Sequence, residues 1–151
     1  MSATARDAPP AAAPGLAHRE RGTGTADRRG GLATVEPAGA RVAHVGCQYG
    51  VGPDRPRSHL LGPQFDAAMD DLEAALASVG MGPNDVVRAT FYLTRPEDRG
   101  ELEEERRRRP LGEPDRPTAI TVLVVDALGV HGAVVGVEAT AAATAAEPGK
   151  P

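Results

Sequence analysis

Residues 64–94, QFDAAMDDLEAALASVGMGPNDVVRATFYLT, decide the fold of this chain. The first half has one apolar stripe with spacings of four, three, four and three, the period of an amphipathic helix. The stripe consists of Phe65, Met69, Leu72, Leu76 and Val79. Gly80 follows, where a helix favours a left-handed residue, and Pro83 prevents continuation.

After Asp85 the apolar period changes from about 3.6 to two, which is typical of a strand. One face of this strand consists of Val87, Ala89, Phe91 and Leu93, and the other of Val86, Arg88, Thr90 and Tyr92. The segment therefore predicts a helix, a tight turn and a buried strand.

The flanking segments predict the remaining elements. Strands are expected at 32–36, 41–47, 118–125 and 133–140, with loops at 50–63 and 110–117. A second helix is expected to run to about Arg109, with Thr94 as N-cap and Glu97 at the capping-box position. The order β-β-α-β-α-β-β predicts an α+β fold with both helices on one face of a mixed sheet. Apolar residues on the other face suggest that further copies of the chain cover it.

Composition limits the function classes. Residues 1–31 and 145–151 are rich in Ala, Pro and Gly and are expected to be disordered, which leaves one domain at 32–144. The only lysine, Lys150, lies in the second of these tails, so a Schiff-base mechanism is excluded. The single cysteine, Cys47, argues for a reducing compartment, and the formal charge of −4 gives no general attraction to nucleic acid or membranes. We therefore expect a cytoplasmic protein. We also expect no metal site, because the four histidines are not spaced as metal ligands.

Four segments together resemble the Rid family, also called YjgF/YER057c/UK114. They are RVAHVGCQYG, residues 64–94, RPTAITVLVV and GAVVGVEATA. They are similar to the family's strand ending in Val-Ser-Gly-Gln, its long helix with the strand DDVVKVTVYLTD, its Arg-Pro strand and its closing VEIEA strand. The resemblance covers about residues 40–141 and implies a chorismate-mutase-like fold, a homotrimer with ligand clefts between subunits, and no cofactor. It also implies hydrolysis of reactive 2-imino or enamine acids to 2-oxo acids and ammonia.

The resemblance implies one catalytic residue. Glu138 matches the glutamate that positions the attacking water, and a carboxylate near a bound imine can accept the proton of that water. The alternative is a solvent-exposed glutamate at a strand end. The family's second glutamate, two residues earlier, is replaced by Gly136, which is expected to open space on the same strand face.

The arginine that binds the substrate carboxylate is the main departure from the family. It follows Pro-Ala in the family, whereas this chain reads Pro117-Thr118-Ala119-Ile120-Thr121, with Ala119 at the arginine's place. Arg116 lies three residues earlier, about 10 Å along a strand, so a surface role is preferred over compensation by Arg116. A substrate without the usual carboxylate would fit Ala119 and Gly136, since both changes are expected to enlarge the cleft.

Other candidate residues have weaker support. Cys47 and Gln48 occupy the family's cleft-lining Gly-Gln position, where Cys47 is either a small buried residue or a nucleophile. Thr121 is a candidate ligand-binding residue, as the family's residue two past the arginine is. Tyr92 is expected to pack at a subunit contact, and His44 to pack within its strand.

The run of residues 103–109, EEERRRR, is interpreted as an exposed helix face with Glu–Arg pairs at i,i+4. RNA binding is disfavoured there because the adjacent acids cancel the positive charge. The leading hypothesis is therefore a hydrolase of a reactive imine or enamine. The alternatives are a non-catalytic ligand-binding or regulatory trimer and, less favoured, an RNA-processing protein.

Overall fold

The computed structural model describes residues 39–144 except 54, 56 and 57. Its elements are β1 (Arg41–Tyr49), α1 (Leu61–Ser78), β2 (Val86–Leu93), α2 (Arg99–Arg108), β3 (Gly112–Glu113), β4 (Arg116–Pro117), β5 (Ala119–Val124) and β6 (Val135–Ala143). The strand expected at 32–36 and the two tails lie outside the described residues. The elements confirm an α+β fold with a mixed sheet.

The main sheet has the strand order β1-β6-β2-β5. Strand β6 is antiparallel to both β1 and β2, and β2 is parallel to β5. Alternate residues of the strands point toward the helices and form the core with α1, among them Ala89, Phe91, Val135 and Val137. Residues pointing the other way form what we call the open face, the sheet face opposite the helices.

Helix α1 supplies the largest share of the core. Phe65, Met69, Leu72 and Leu76 are at most 1% exposed, which confirms four of the five residues of the stripe. The prediction that Val79 belongs to the buried stripe is wrong, because this residue is the C-terminal cap of α1 and is 40% exposed. Gly80 has φ +74°, as the sequence predicted.

The helix begins earlier than expected, at Leu61, which is 1% exposed and packs in the core. Pro63 is tolerated in the first turn because its missing N–H would have no partner within the helix. The predicted loop from 50 to 63 therefore ends at Leu60.

Helix α2 packs on the same side of the sheet as α1. Leu102 is fully buried in the core, and the Arg106 guanidinium lies 5.5 Å from the centroid of the Phe91 ring. The predicted Thr94 cap is not formed. A 3₁₀ turn at Pro96–Asp98 comes first, and the Thr94 N–H instead donates to the Val134 carbonyl at 3.1 Å.

Two further predictions differ from the structure. Val86 was expected on the face of Arg88, but a register irregularity between Val86 and Arg88 turns it into the core. The predicted loop 110–117 contains the short antiparallel pair of β3 and β4. Among the described residues, no helix is both long and apolar enough to cross a membrane.

Candidate functional site

The open face is organised in rows that run across the four strands. One row consists of His44, Thr140, Arg88 and Ala119, each paired with the next. The next row along β6 carries Glu138, with Thr90 and Thr121 beside it. A third carries Tyr49, Gly136, Tyr92 and Leu123. Pairing thus brings polar and titratable groups from distant segments onto one surface.

The Glu138 carboxylate accepts a hydrogen bond from a side chain of the neighbouring strand β2. The Tyr92 hydroxyl donates to Glu138 Oε1 at 2.9 Å, and this bond to a carboxylate raises the pKa of Tyr92 above its usual range. Tyr92 therefore remains a hydrogen-bond donor at neutral pH. A carboxylate accepts several hydrogen bonds, so the contact leaves Glu138 Oε2 able to accept from a water. The structure thus gives Tyr92 a contact that the sequence did not predict.

A groove of about 350 Å³ adjoins this pair on the open face. Its polar lining comes from three strands and includes His44, Arg88, Thr90, Glu138 and Thr140. His44 Nδ1 and Thr140 Oγ1 lie 3.2 Å apart, so this histidine does not simply pack within its strand. The volume is at the lower end of the range of about 300–1,000 Å³ for small-molecule sites.

The space above Gly136 is filled, which corrects the expectation of an enlarged cleft. A Cβ on Gly136 would lie 2.7 Å from Cys47 Sγ and 3.1 Å from Tyr49 Cε1. A bulge in β1 between Val45 and Gln48 brings Cys47 over this position. The glycine therefore accommodates Cys47 and Tyr49, and it does not widen a cleft.

The environment of Cys47 favours the thiol over the thiolate. Burial raises the pKa of Cys47, the nearby Glu138 carboxylate raises it further, and a hydrogen bond with Tyr49 opposes both effects. Since the thiolate is the nucleophilic form, these effects support the packing role of Cys47.

Replacing Gly136 by alanine should destabilise the protein by about 1–3 kcal/mol, because the new methyl overlaps Cys47 Sγ. Urea denaturation would measure the free energy of unfolding. Removing the sulfur in Gly136→Ala/Cys47→Ala should recover part of the loss relative to the two single variants. Gly46→Ala is the matched control in a strand, since a Cβ there meets no atom within 4 Å. Additive effects in the double variant would contradict the contact.

The other predicted site residues are distributed over several places. Thr121 and Ala119 lie on the open face, opposite Thr90 and Arg88. Gln48 Nε2 donates to the Gly46 carbonyl at 2.9 Å and so stabilises the bulge of β1. Arg116 lies in β4, where its Nε donates to Glu113 Oε2 at 2.8 Å. Arg116 is not among the residues that line the groove with Glu138.

Sequence reasoning missed Gln64, which connects three segments of the chain. Its side chain is 1% exposed; Nε2 donates to the Ser58 and Gly132 carbonyls at 2.7 and 2.9 Å, and Oε1 accepts from the Val134 N–H at 2.8 Å. Its position at the edge of the apolar stripe was the only signal. The amide joins α1 to the loop before it and to the segment that leads into β6.

The loops joined by Gln64 enclose a second cavity of about 390 Å³. It brings together His59 and His131, which are 72 residues apart by number, with Arg55 and Ser58. Arg55 Nη2 is paired with Asp71 of α1. Among the described residues, no group of three His, Cys, Asp or Glu side chains could hold a metal ion.

The arginine run of α2 is paired with carboxylates, but not at the predicted i,i+4 spacing. Arg106 binds Glu103 at 2.7 Å, and Arg108 binds Glu105 and Asp66. Arg109 turns toward α1, where it contacts Asp70 at 2.9 Å and Glu73 at 2.7 Å. The run therefore fastens α2 to α1, and three of its four charges have acidic partners.

Comparison with solved structures identifies the family. Rv2704 of Mycobacterium tuberculosis, described as a member of the YjgF/YER057c/UK114 family, is 30% identical, with a TM-score of 0.54 over 66% of this chain and 77% of that chain. RidA of an Antarctic Psychrobacter is 23% identical, with a TM-score of 0.58 over 80% of this chain and 90% of that one. YyfB of Yersinia pestis, of the Rid family, is 23% identical, with a TM-score of 0.58 over 72% and 83%.

No protein-family model matches the chain, and no curated protein matches it significantly. The similarity to Rv2704 and the shared fold nevertheless define the class of protein. The chain belongs to the YjgF/YER057c/UK114, or Rid, family.

Proposed function

We propose that this chain is a hydrolase of the imine or enamine deaminase type, with Glu138 as the residue that positions and deprotonates water. The observation that carries the proposal is the hydrogen bond between Tyr92 and Glu138 beside a groove on the open face. Membership of the Rid family supports the same reaction class.

The reaction is the addition of water to a C=N carbon. Glu138 accepts one proton of the attacking water, the oxygen bonds to carbon, and the nitrogen gains protons until the C–N bond breaks. One imine and one water thus give one carbonyl compound and one ammonia. Tyr92 holds the carboxylate in position without competing for the proton, because its own pKa is raised.

The proposal includes a homotrimer in a cytoplasmic setting, with the open face lying between subunits. Exposed apolar side chains on this face support an interface, since Val42 is 39% and Leu123 is 45% exposed. Light scattering coupled to size-exclusion chromatography would measure the assembly state.

Glu138→Gln should lower kcat/KM for 2-iminopropanoate, generated in situ, by roughly 100-fold or more, because the amide cannot accept the water proton. Ammonia release and pyruvate formation are the readouts. Tyr92→Phe should give a smaller loss, because Glu138 keeps its charge and loses only its orienting donor. Equal turnover by Glu138→Gln and the parent protein would contradict the assigned role.

A non-catalytic binding protein is the second candidate, and the absence of the usual arginine at Ala119 favours it. It predicts no acceleration by the parent protein on any imine or enamine. The RNA hypothesis gains no support from the arginine run, because the described partners of Arg106, Arg108 and Arg109 are acidic.

A further inference from the structure

Arg88 stands beside the position where the family's arginine is missing. Arg88 of β2 pairs directly with Ala119 of β5 on one side and with Thr140 of β6 on the other. Neighbouring strands of a sheet lie about 4.8 Å apart, so directly paired side chains on one face lie next to each other. A long side chain at position 88 can therefore place a guanidinium over the surface that a side chain at position 119 would cover.

The charge of Arg88 is available to a ligand. Arg88 is exposed, lines the groove with Glu138, and takes part in none of the ion pairs formed between described residues. Glu138 Oε1 instead accepts from Tyr92. The groove thus has a carboxylate held by a phenol and, one row away, a cation without an acidic partner in the described part of the chain.

We propose that Arg88 is the anion-binding residue of this groove and takes over, from the neighbouring strand, the role left open at Ala119. The inference rests on the proposed function for its substrate class, an imine or enamine that carries a carboxylate or phosphate group. A substrate with a carboxylate would reverse the expectation that this chain acts on a substrate without the usual carboxylate. Arg88 binds the substrate, and Glu138 acts on it.

The arrangement of the rows supports this division. Guanidinium groups bind carboxylates and phosphates through parallel N–H donors, and Thr140 and His44 add further polar groups in the same row. Residues two apart on a strand are separated by about 7 Å. A small substrate whose anionic group lies in the row of Arg88 can therefore reach Glu138 in the next row.

Binding of stable anions tests the proposal without requiring turnover. Calorimetric titration would measure the affinity of the parent protein for pyruvate and for inorganic phosphate. The anion that binds more tightly identifies the anionic group of the substrate. Arg88→Gln should lower the affinity for that anion by roughly 10- to 100-fold. Arg99→Gln, an exposed arginine on α2, is the control that removes one positive charge from the helical side.

A rescue experiment separates a binding role from a structural one. Adding Ala119→Arg to Arg88→Gln should restore most of the affinity, because the two positions are directly paired. Failure of the parent protein to bind either anion would overturn the proposal, as would unchanged affinity in Arg88→Gln. Loss of the oligomer in Arg88→Gln without rescue by Ala119→Arg would also overturn it, by assigning Arg88 to a contact between copies.

Turnover distinguishes this proposal from the proposed function. Arg88→Gln should lower kcat/KM for 2-iminopropanoate and leave that for propan-2-imine, which has a methyl in place of the carboxylate, nearly unchanged. If the parent protein hydrolyses neither imine yet binds pyruvate through Arg88, the deaminase proposal fails and the anion site stands. Equal losses on both imines would contradict a role confined to the anion.

Discussion

Replacing Gly50 by alanine is expected to destabilise the fold severely. A Cβ at this position would lie 1.9 Å from the backbone oxygen of Gln64 and 2.4 Å from its carbonyl carbon. These atoms belong to the first turns of α1 and cannot move without displacing the helix from the sheet. We therefore expect a loss of about 4 kcal/mol or more in the free energy of unfolding, a large fraction of the stability of a small domain.

Circular dichroism during urea denaturation would measure this loss. Gly52→Ala is the matched control in the same loop, because a Cβ there meets no atom within 4 Å. We expect the control to stay within about 1 kcal/mol of the parent protein. Equal stability of the two variants would show that β1 and α1 do not approach as closely as described.

Gln64→Met should cost about 3–6 kcal/mol, because three buried hydrogen bonds are lost and their backbone partners are left unsatisfied. Methionine has a similar size, so the cost arises from polarity more than from a cavity. The free energy of unfolding is the first readout. Amide hydrogen exchange is the second, because the Val134 N–H donates to the lost Oε1 and should exchange faster.

Gln48→Met is the control for Gln64→Met. The Gln48 amide makes its described hydrogen bond with the carbonyl two residues earlier in its own strand, so we expect a cost of no more than about 1 kcal/mol. A small effect of Gln64→Met would mean that water replaces the lost partners, and the two segments that Gln64 joins to α1 would then not depend on this side chain.

The fold was largely predictable because its central unit has clear periods. Helix α1 and strand β2 each bury one face, and this produces their apolar periods. The buried residues include Leu72 and Leu76 in α1, and Ala89 and Phe91 in β2. The predictions from local sequence were wrong where contacts between residues distant in sequence determine the structure. Leu61 joins α1 because the core accepts it, and Val86 turns inward because one extra residue shifts its strand.

The site was less predictable than the fold because it depends on strand register. Glu138 could be proposed from the resemblance, but its bond with Tyr92 requires the pairing of β2 with β6. The arginine nearest to Ala119 in sequence is Arg116, which is bound to Glu113. Arg88 is 31 residues before Ala119 and becomes its neighbour only through parallel pairing.

The pairing of the first described strand with the last has a consequence during synthesis. Arg41 of β1 pairs with Ala143 of β6, and in the described sheet β1 has no other neighbour. Within the described sheet, β1 therefore gains its neighbouring strand only when β6 leaves the ribosome, about 100 residues later by number. The groove cannot exist before that moment, because β6 supplies Glu138 and separates β1 from β2. We thus expect the complete four-stranded sheet, and with it the groove, to form only after β6 has left the ribosome.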